Sequence, residues 1–250
     1  MGRSDERLPF AAYSERVTDS ALAEALGRIP RGRASVPSAA ERVGDLLREQ
    51  IVDGALRSGT RLTEETISST LGFSRNTIRE AFALLTAERL VVREPHRGVF
   101  VATPTIADVR DLYDARLVLE PAALEHGPGW TDATPGRLRS VVDGALAARA
   151  GGDTTGVAQA NQEFHRAIVR LSGSRRVDVL MESVLAEMRL VFHLMGDDPG
   201  FHTPYLDRNV EIVDLLEGDG RAVAATALRA YLGDARDHLL GALGSAVSAG

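Results

Sequence analysis

Arg75 and Arg79 stand four residues apart in the run Ser74-Arg75-Asn76-Thr77-Ile78-Arg79. On a helix, residues four apart share a face, so both guanidiniums project from one side. A guanidinium is a planar fork of N–H donors that keeps its charge and pairs two-point with phosphate or with the acceptor edge of guanine. Ser74 suits the amino cap of such a helix, where free backbone N–H groups also favour phosphate oxygens. Further along, His96-Arg97-Gly98 makes a short basic turn. From position 75 to 97 five arginines face only Glu80, Glu88 and Glu94, a local excess of +2 in a chain of net charge -6. A basic cluster in an acidic protein is an electrostatic footprint for a polyanion, and duplex DNA is the partner that a helix end fits. The plainer alternative is a solvated helix face on a module that contacts protein.

A second set of residues interrupts apolar stripes. Arg116 shares a stripe with Leu112, Leu119 and Ala123. Asn161 and His165 share a face with Val157, Phe164 and Ile168. Asn209 lies on the line of Ile212, Val213 and Leu216, and Tyr231 on that of Leu228 and Ala235. Buried polar groups cost free energy unless they are bonded. Interruptions on four helices therefore suggest a shared polar cavity. Asn161, His165, Asn209 and Tyr231 would offer it neutral hydrogen-bonding groups, Arg116 a fixed positive charge, and Arg189 a second. An effector with an acidic group suits such a cavity, and so does a polar neutral one. The alternative is four core polars satisfied independently, with Glu120, one turn from Arg116, taking up its charge. His126, His202 and His238 fall near helix ends or on exposed faces and are expected to play no part.

The elements that must carry these groups follow from the pattern of the 250 residues. Residues 1–37 read as a partly disordered arm, broken by the two prolines and glycine of IPRGRASVPS. From Ala40, Val43, Leu46, Leu47 and Ile51 follow a helical period. Thr63 caps a second helix, Gly72 ends it, and Ser74 opens a third with the stripe Ile78, Ala81, Phe82, Leu85. Leu90 and Val92, then Val99 and Val101, suit a two-stranded ribbon joined by Glu94–Gly98. Helix, helix, turn, helix, ribbon over 38–104 is a winged helix-turn-helix pattern. After Pro104 the strand signals stop. Six helices are expected, at roughly 106–126, 134–149, 154–172, 175–195, 204–217 and 220–243, so 105–250 is an all-α domain. The fold class is mainly α, a winged helix-turn-helix followed by a helical bundle.

Composition narrows the functions. Cysteine is absent, which excludes disulfides, thiolate metal sites and cysteine nucleophiles. All 29 basic residues are arginine, which codon usage explains more simply than function does. No apolar run approaches the roughly 20 residues that span a bilayer. The amino end is polar and lacks a signal-peptide core, so a cytoplasmic protein is expected. No nucleophile–base pair, metal-ligand cluster or glycine-rich phosphate loop supports an enzyme, metal-dependent or otherwise.

The stretch LLREQIVDGALRSGTRLTEETISSTLGFSRNTIREAFALLTAERLVVREPHRGVFV closely resembles the DNA-binding domain of GntR-family bacterial transcription regulators. LYDARLVLEPAALE and NQEFHRAIV are similar to the helical ligand-binding domain of the FadR-like branch, the FCD domain. The resemblance implies a ligand-responsive transcription regulator that binds a near-palindromic operator as a homodimer, the helical domain supplying much of the interface. It implies that Arg75 and Arg79 make the main base and phosphate contacts, that Ser74, Asn76 and Thr77 grip the backbone, and that His96, Arg97 and Gly98 act from the wing. Glu65 stands where relatives often carry a DNA-contacting arginine. Many FCD domains hold a divalent metal with one Asp and three His. Here those places are Asn161, His165, Asn209 and Tyr231, so only His165 is retained and no metal or other cofactor is expected. His193 is a conceivable but weak substitute ligand. A DNA-binding scaffold with a decayed pocket is the competing expectation.

Overall fold

The computed structural model describes residues 37–195 and 199–248, with side chains described outside 199–203 and 245–248. The expected arm, apart from its last residue, and the side chain of His202 lie outside the described residues. From Ala39 on, the chain packs as one unit.

The first part holds α1 (Ala39–Val52), β1 (Arg61–Leu62), α2 (Glu64–Leu71), α3 (Arg75–Ala87), β2 (Val91–Glu94) and β3 (Gly98–Val101). Local chemistry sets its corners. Thr63 accepts the Thr66 N–H at 3.3 Å and so caps α2. Gly72 ends that helix in the left-handed region, at φ 75°, where a Cβ would be strained. Ser74 then accepts the Thr77 N–H at 3.1 Å and opens α3. The buried stripe Ile78, Ala81, Phe82, Leu85 packs into one core with Val43, Leu47 and Ile51 of α1 and with Leu90, Val91, Val99 and Val101.

Two details differ from the expected ribbon. The sheet has three strands in the order β1-β3-β2, all antiparallel, because Arg61 and Leu62 pair with Phe100 and Val99. A two-residue strand has no period to detect. The phase of β2 is also shifted by one residue. Val91 is buried while Val92 is 42 % exposed, because Leu90 precedes the strand and alternation starts at Val91.

The second part is all helical: α4 (Ile106–His126), α5 (Thr134–Ala150), α6 (Thr154–Arg170), α7 (Arg175–Leu194), α8 (Pro199–Gly218) and α9 (Arg221–Ser248). A reciprocal capping box of Thr105 and Asp108 starts α4. Pro121 lies inside α4 and cannot donate to the carbonyl of Leu117. That carbonyl accepts instead from Arg229 Nη1 at 3.4 Å. Helix α8 begins five residues before the expected start, with Pro204 inside it, and α9 runs on to Ser248.

The two parts share side chains at their joint. Leu190 and Ala186 of α7 pack into the winged-helix core. Arg189 donates from Nε to the carbonyl of Val52, the last residue of α1, at 3.0 Å. This corrects the expectation for Arg189: it serves the joint and not the group around Arg116 and His165, because its stretch of α7 faces the end of α1. His193 also faces the turn that follows α1, since a Cβ added at Gly54 (φ 82°) would meet its ring at 3.1 Å. It is thereby committed to the joint and not to a ligand set in the bundle.

Candidate functional site

The first site is the outer face of the winged helix. Ser74, Arg75, Asn76 and Arg79 are exposed at the amino end of α3, and Thr77 is half-buried. The Ser74 and Thr77 hydroxyls hold each other at 2.8 Å, and Asn76 donates to Glu80 at 2.8 Å. Across from them is the ribbon tip. His96 (φ 61°) and Gly98 (φ 120°) both take backbone conformations that side chains resist. At Gly98 there is a second constraint, since an added Cβ would lie 3.3 Å from Arg61 Nε. Arg97 pairs with Glu94 and lies over the Phe100 ring at 5.5 Å. Between α3 and the tip lies a cleft of about 590 Å3 whose lining includes Arg75, Arg93, His96, Glu64 and Glu65.

Glu64 enters this face without a signal in the sequence. Its Oε1 accepts from Arg79 Nε at 2.8 Å, which holds the Glu64 carboxyl below the usual range and raises the Arg79 guanidinium. Arg79 thus has one of its five N–H donors on an acid whose charge opposes an approaching phosphate. Glu65 is exposed on the same cleft. Glu64→Gln is expected to strengthen duplex DNA binding about two- to tenfold at low salt, with the gain shrinking as salt rises. Anisotropy titrations at two salt concentrations check this, and weaker binding by the variant would contradict it.

The second site is the bundle centre. Arg116, Glu120, His165, Asn209 and Tyr231 are each at most 5 % exposed, and Asn161 is half-buried. Arg116 Nε donates to Glu120 Oε1 at 2.6 Å, and His165 Nδ1 meets Glu120 Oε2 at 2.6 Å. Burial pushes the Glu120 carboxyl up, but Arg116 and then His165 outweigh it, so Glu120 is held ionised. An ionised carboxylate only accepts, so His165 Nδ1 must carry the proton. His165 Nε2 then accepts from the Tyr231 hydroxyl at 3.4 Å. Arg116 also lies over the Tyr113 ring at 5.1 Å. A second pair, Asn209 Nδ2 donating to Asn161 Oδ1 at 2.8 Å, sits one helical turn from His165 on α6.

The centre therefore brings together five of the six expected effector residues and leaves out Arg189. The sequence offered Glu120 as a partner for Arg116. It did not show that the same carboxylate also holds His165, 45 positions away. At this centre, among the described residues, two buried side-chain atoms make no hydrogen bond: the donor Arg116 Nη2 and the acceptor Asn209 Oδ1.

A divalent metal does not fit these donors. Asn161 Oδ1 is taken by Asn209 Nδ2, and neutral amides and a phenol are poor ligands for transition metals. Among the described residues, no three His, Cys, Asp or Glu side chains converge as ligands.

Burial holds the His165 imidazole below its ordinary value of 6.5, with Arg116 adding to that effect and Glu120 opposing it. The folded protein thus resists a proton that the unfolded chain accepts. The stability this contributes is present above the unfolded value and is lost as pH falls below it. Unfolding free energy is expected to fall on acidification below about pH 6.5, by up to about 1.4 kcal/mol per pH unit for this one group. Denaturant titrations of wild type and His165→Gln between pH 5 and 8 check this. An identical pH slope for both proteins would contradict it.

The comparisons with known proteins agree with both parts of the chain. Residues 39–101 match the model of the gntR family of bacterial regulatory proteins, and residues 111–234 match that of the FCD domain. A solved GntR transcriptional regulator from Rhodococcus sp. RHA1 is 44 % identical, covering 81 % of this chain and 97 % of its own, with a TM-score of 0.75. The HTH-type transcriptional regulator YdhC of Bacillus subtilis is 29 % identical over 55 % of this chain and 62 % of its own length. The gluconate operon transcriptional repressor of the same species is 37 % identical over 36 % of this chain and 37 % of its own. The chain thus spans less than two thirds of the length of these two curated relatives. Among the described residues, no helix is long and apolar enough to cross a membrane. With both domain models matched in order along it, the chain belongs to the gntR family of bacterial regulatory proteins, with a winged helix-turn-helix domain joined to an FCD domain.

Proposed function

We propose that the protein is a cytoplasmic transcription regulator that binds a near-palindromic operator as a homodimer, with its DNA affinity set by a small organic effector at the bundle centre. The observation behind the DNA-binding reading is the exposed pair Arg75 and Arg79 at the capped amino end of α3, with Arg75 facing the wing tip across one cleft. Such an end enters the major groove, where its first residues reach base edges and phosphates. Arg75 and Arg79 are assigned to base and phosphate contacts, Ser74, Asn76 and Thr77 to the backbone, and His96, Arg97 and Gly98 to an adjacent groove. One module reads only a few base pairs, so two-fold symmetry supplies the remaining specificity.

The effector reading rests on the two unpaired atoms of the bundle centre. Arg116 Nη2 offers a charged donor and Asn209 Oδ1 an acceptor. Asn161, His165 and Tyr231 are assigned to the effector as well. A carboxylate is the preferred group for Nη2, although it must share Arg116 with Glu120. No metal takes part. The effector alters DNA binding only if it favours one arrangement of the paired recognition helices, since a ligand that binds both arrangements equally shifts nothing. Typical coupling of ~1–3 kcal/mol corresponds to a change of roughly 5- to 150-fold in operator affinity. Footprinting of the intact protein with and without a panel of organic acids tests this. Protection of a two-fold symmetric site that one acid strengthens or weakens within that range is the expected result. Protection unchanged by an acid shown to bind at Arg116 would overturn the effector reading and leave a DNA-binding scaffold.

A further inference from the structure

Where the exit of α3, the ribbon, the start of α4 and the middle of α7 meet, there is a cleft of about 520 Å3. Its walls come from both parts of the chain. Arg89 and Val92 belong to the winged helix, Pro104 and Asp108 to the connection and α4, and Glu187 and Leu190 to α7. Glu187 is 9 % exposed and opens onto the cleft, and among the described residues its carboxylate makes no hydrogen bond or ion pair. The neighbouring charges are committed elsewhere. Arg89 turns to Asp111 at 3.6 Å. Asp108 is held by the Thr105 backbone N–H at 2.8 Å and by its hydroxyl at 2.6 Å. Arg189, two residues along α7, bonds the Val52 carbonyl. Arg93 of β2 is exposed.

A largely buried carboxylate with no hydrogen-bond partner is costly unless it is neutralised or finds a cation. Burial pushes the Glu187 carboxyl up to about 7; Arg89 draws it down, while Asp108 and Asp111 push it further up. We propose that this cleft binds a small organic cation, a primary amine on a short apolar chain, with its ammonium against Glu187. The chain lies along Val92, Pro104 and Leu190, and the Asp108 carboxylate adds a second attraction from the facing wall. An anion would meet two carboxylates, and a neutral ligand would leave the Glu187 charge unmatched. Because the walls belong to the DNA-reading part and to the bundle, an occupant ties the two together. The cleft is separate from the Arg116 centre, and the inference stands whether or not that centre binds an effector.

The probe is n-butylamine, titrated calorimetrically into the intact protein at pH 8 and low ionic strength, with butan-1-ol and butyrate as controls. Saturable one-to-one binding of the amine alone is expected. Glu187→Gln should weaken it about tenfold or more, the usual loss when one partner of a desolvated charge pair is removed. Affinity should rise about tenfold from pH 6 to pH 8 as Glu187 ionises. Thermal melting is an independent readout. Glu187→Gln removes a buried charge, so at pH 8 the variant should melt no lower than wild type. Butylamine should raise the melting temperature of wild type and leave the variant's unchanged. The inference is overturned if butylamine shows no saturable binding, if the variant binds it equally well, or if butan-1-ol binds as tightly. Affinity that falls from pH 6 to pH 8 would also overturn it, since that marks a neutral ligand accepting from the protonated carboxyl.

Discussion

Replacing both Arg75 and Arg79 with alanine is expected to lower operator affinity by roughly a hundredfold, about tenfold for each side chain. Both are exposed at the amino end of α3 and outside the core, so the fold should be unaffected. Removing Arg79 has a second consequence. Glu64, which now accepts its Nε at 2.8 Å, would lose its hydrogen-bonded counter-charge and keep only the attraction of Arg75 and Arg93. The Arg79→Ala variant should therefore bind more weakly than loss of one base contact implies, and adding Glu64→Gln should restore part of the difference. Anisotropy titration on the operator decides this. Affinity equal to wild type in the double alanine variant would remove the recognition helix from the account.

The second large effect concerns stability. Glu120→Gln is expected to destabilise the protein by about 3–5 kcal/mol, the range for breaking one side of a buried ion pair. Glu120 is fully buried and its two oxygens hold Arg116 and His165, so the variant strands a buried guanidinium. Against a typical total of about 5–15 kcal/mol, this is a large fraction. The companion Arg116→Met/Glu120→Gln should recover most of the loss, because the buried charge leaves with its partner. Urea denaturation of the three proteins measures this. A loss below about 1 kcal/mol for the single variant, well under that range, would show that Arg116 reaches solvent or another partner.

How much of this was legible in the sequence depended on whether the signal was local. The caps at Thr63 and Ser74 and the turn at Gly72 are single-residue chemistry, and the structure has them as expected. The α4 limits 106 and 126 coincide with the expected ones, bounded by the Thr105 cap and by Gly127. The burial of Arg116, His165, Asn209 and Tyr231 was readable from their places on apolar stripes.

What escaped was long-range or too short to have a period. Strand β1 is two residues long. Arg189 sits on an apolar stripe like the others, but which neighbour that stripe faces is a tertiary matter, and it faces the end of α1. The link from Glu120 to His165 and the capture of Arg79 by Glu64 join separate helices and have no local signature. Glu187 was missed for the same reason, since its isolation depends on which charges surround it.

The central claim is that α3 and the wing read a two-fold symmetric DNA site. The most direct measurement is selection by the intact protein from a random duplex library, followed by the mass of the complex on the recovered sequence. An enriched inverted repeat is expected, with half-sites about one helical turn, or ~10 bp, apart and two chains per duplex. A recovered pool indistinguishable from the input, or one chain on an asymmetric site, would contradict it.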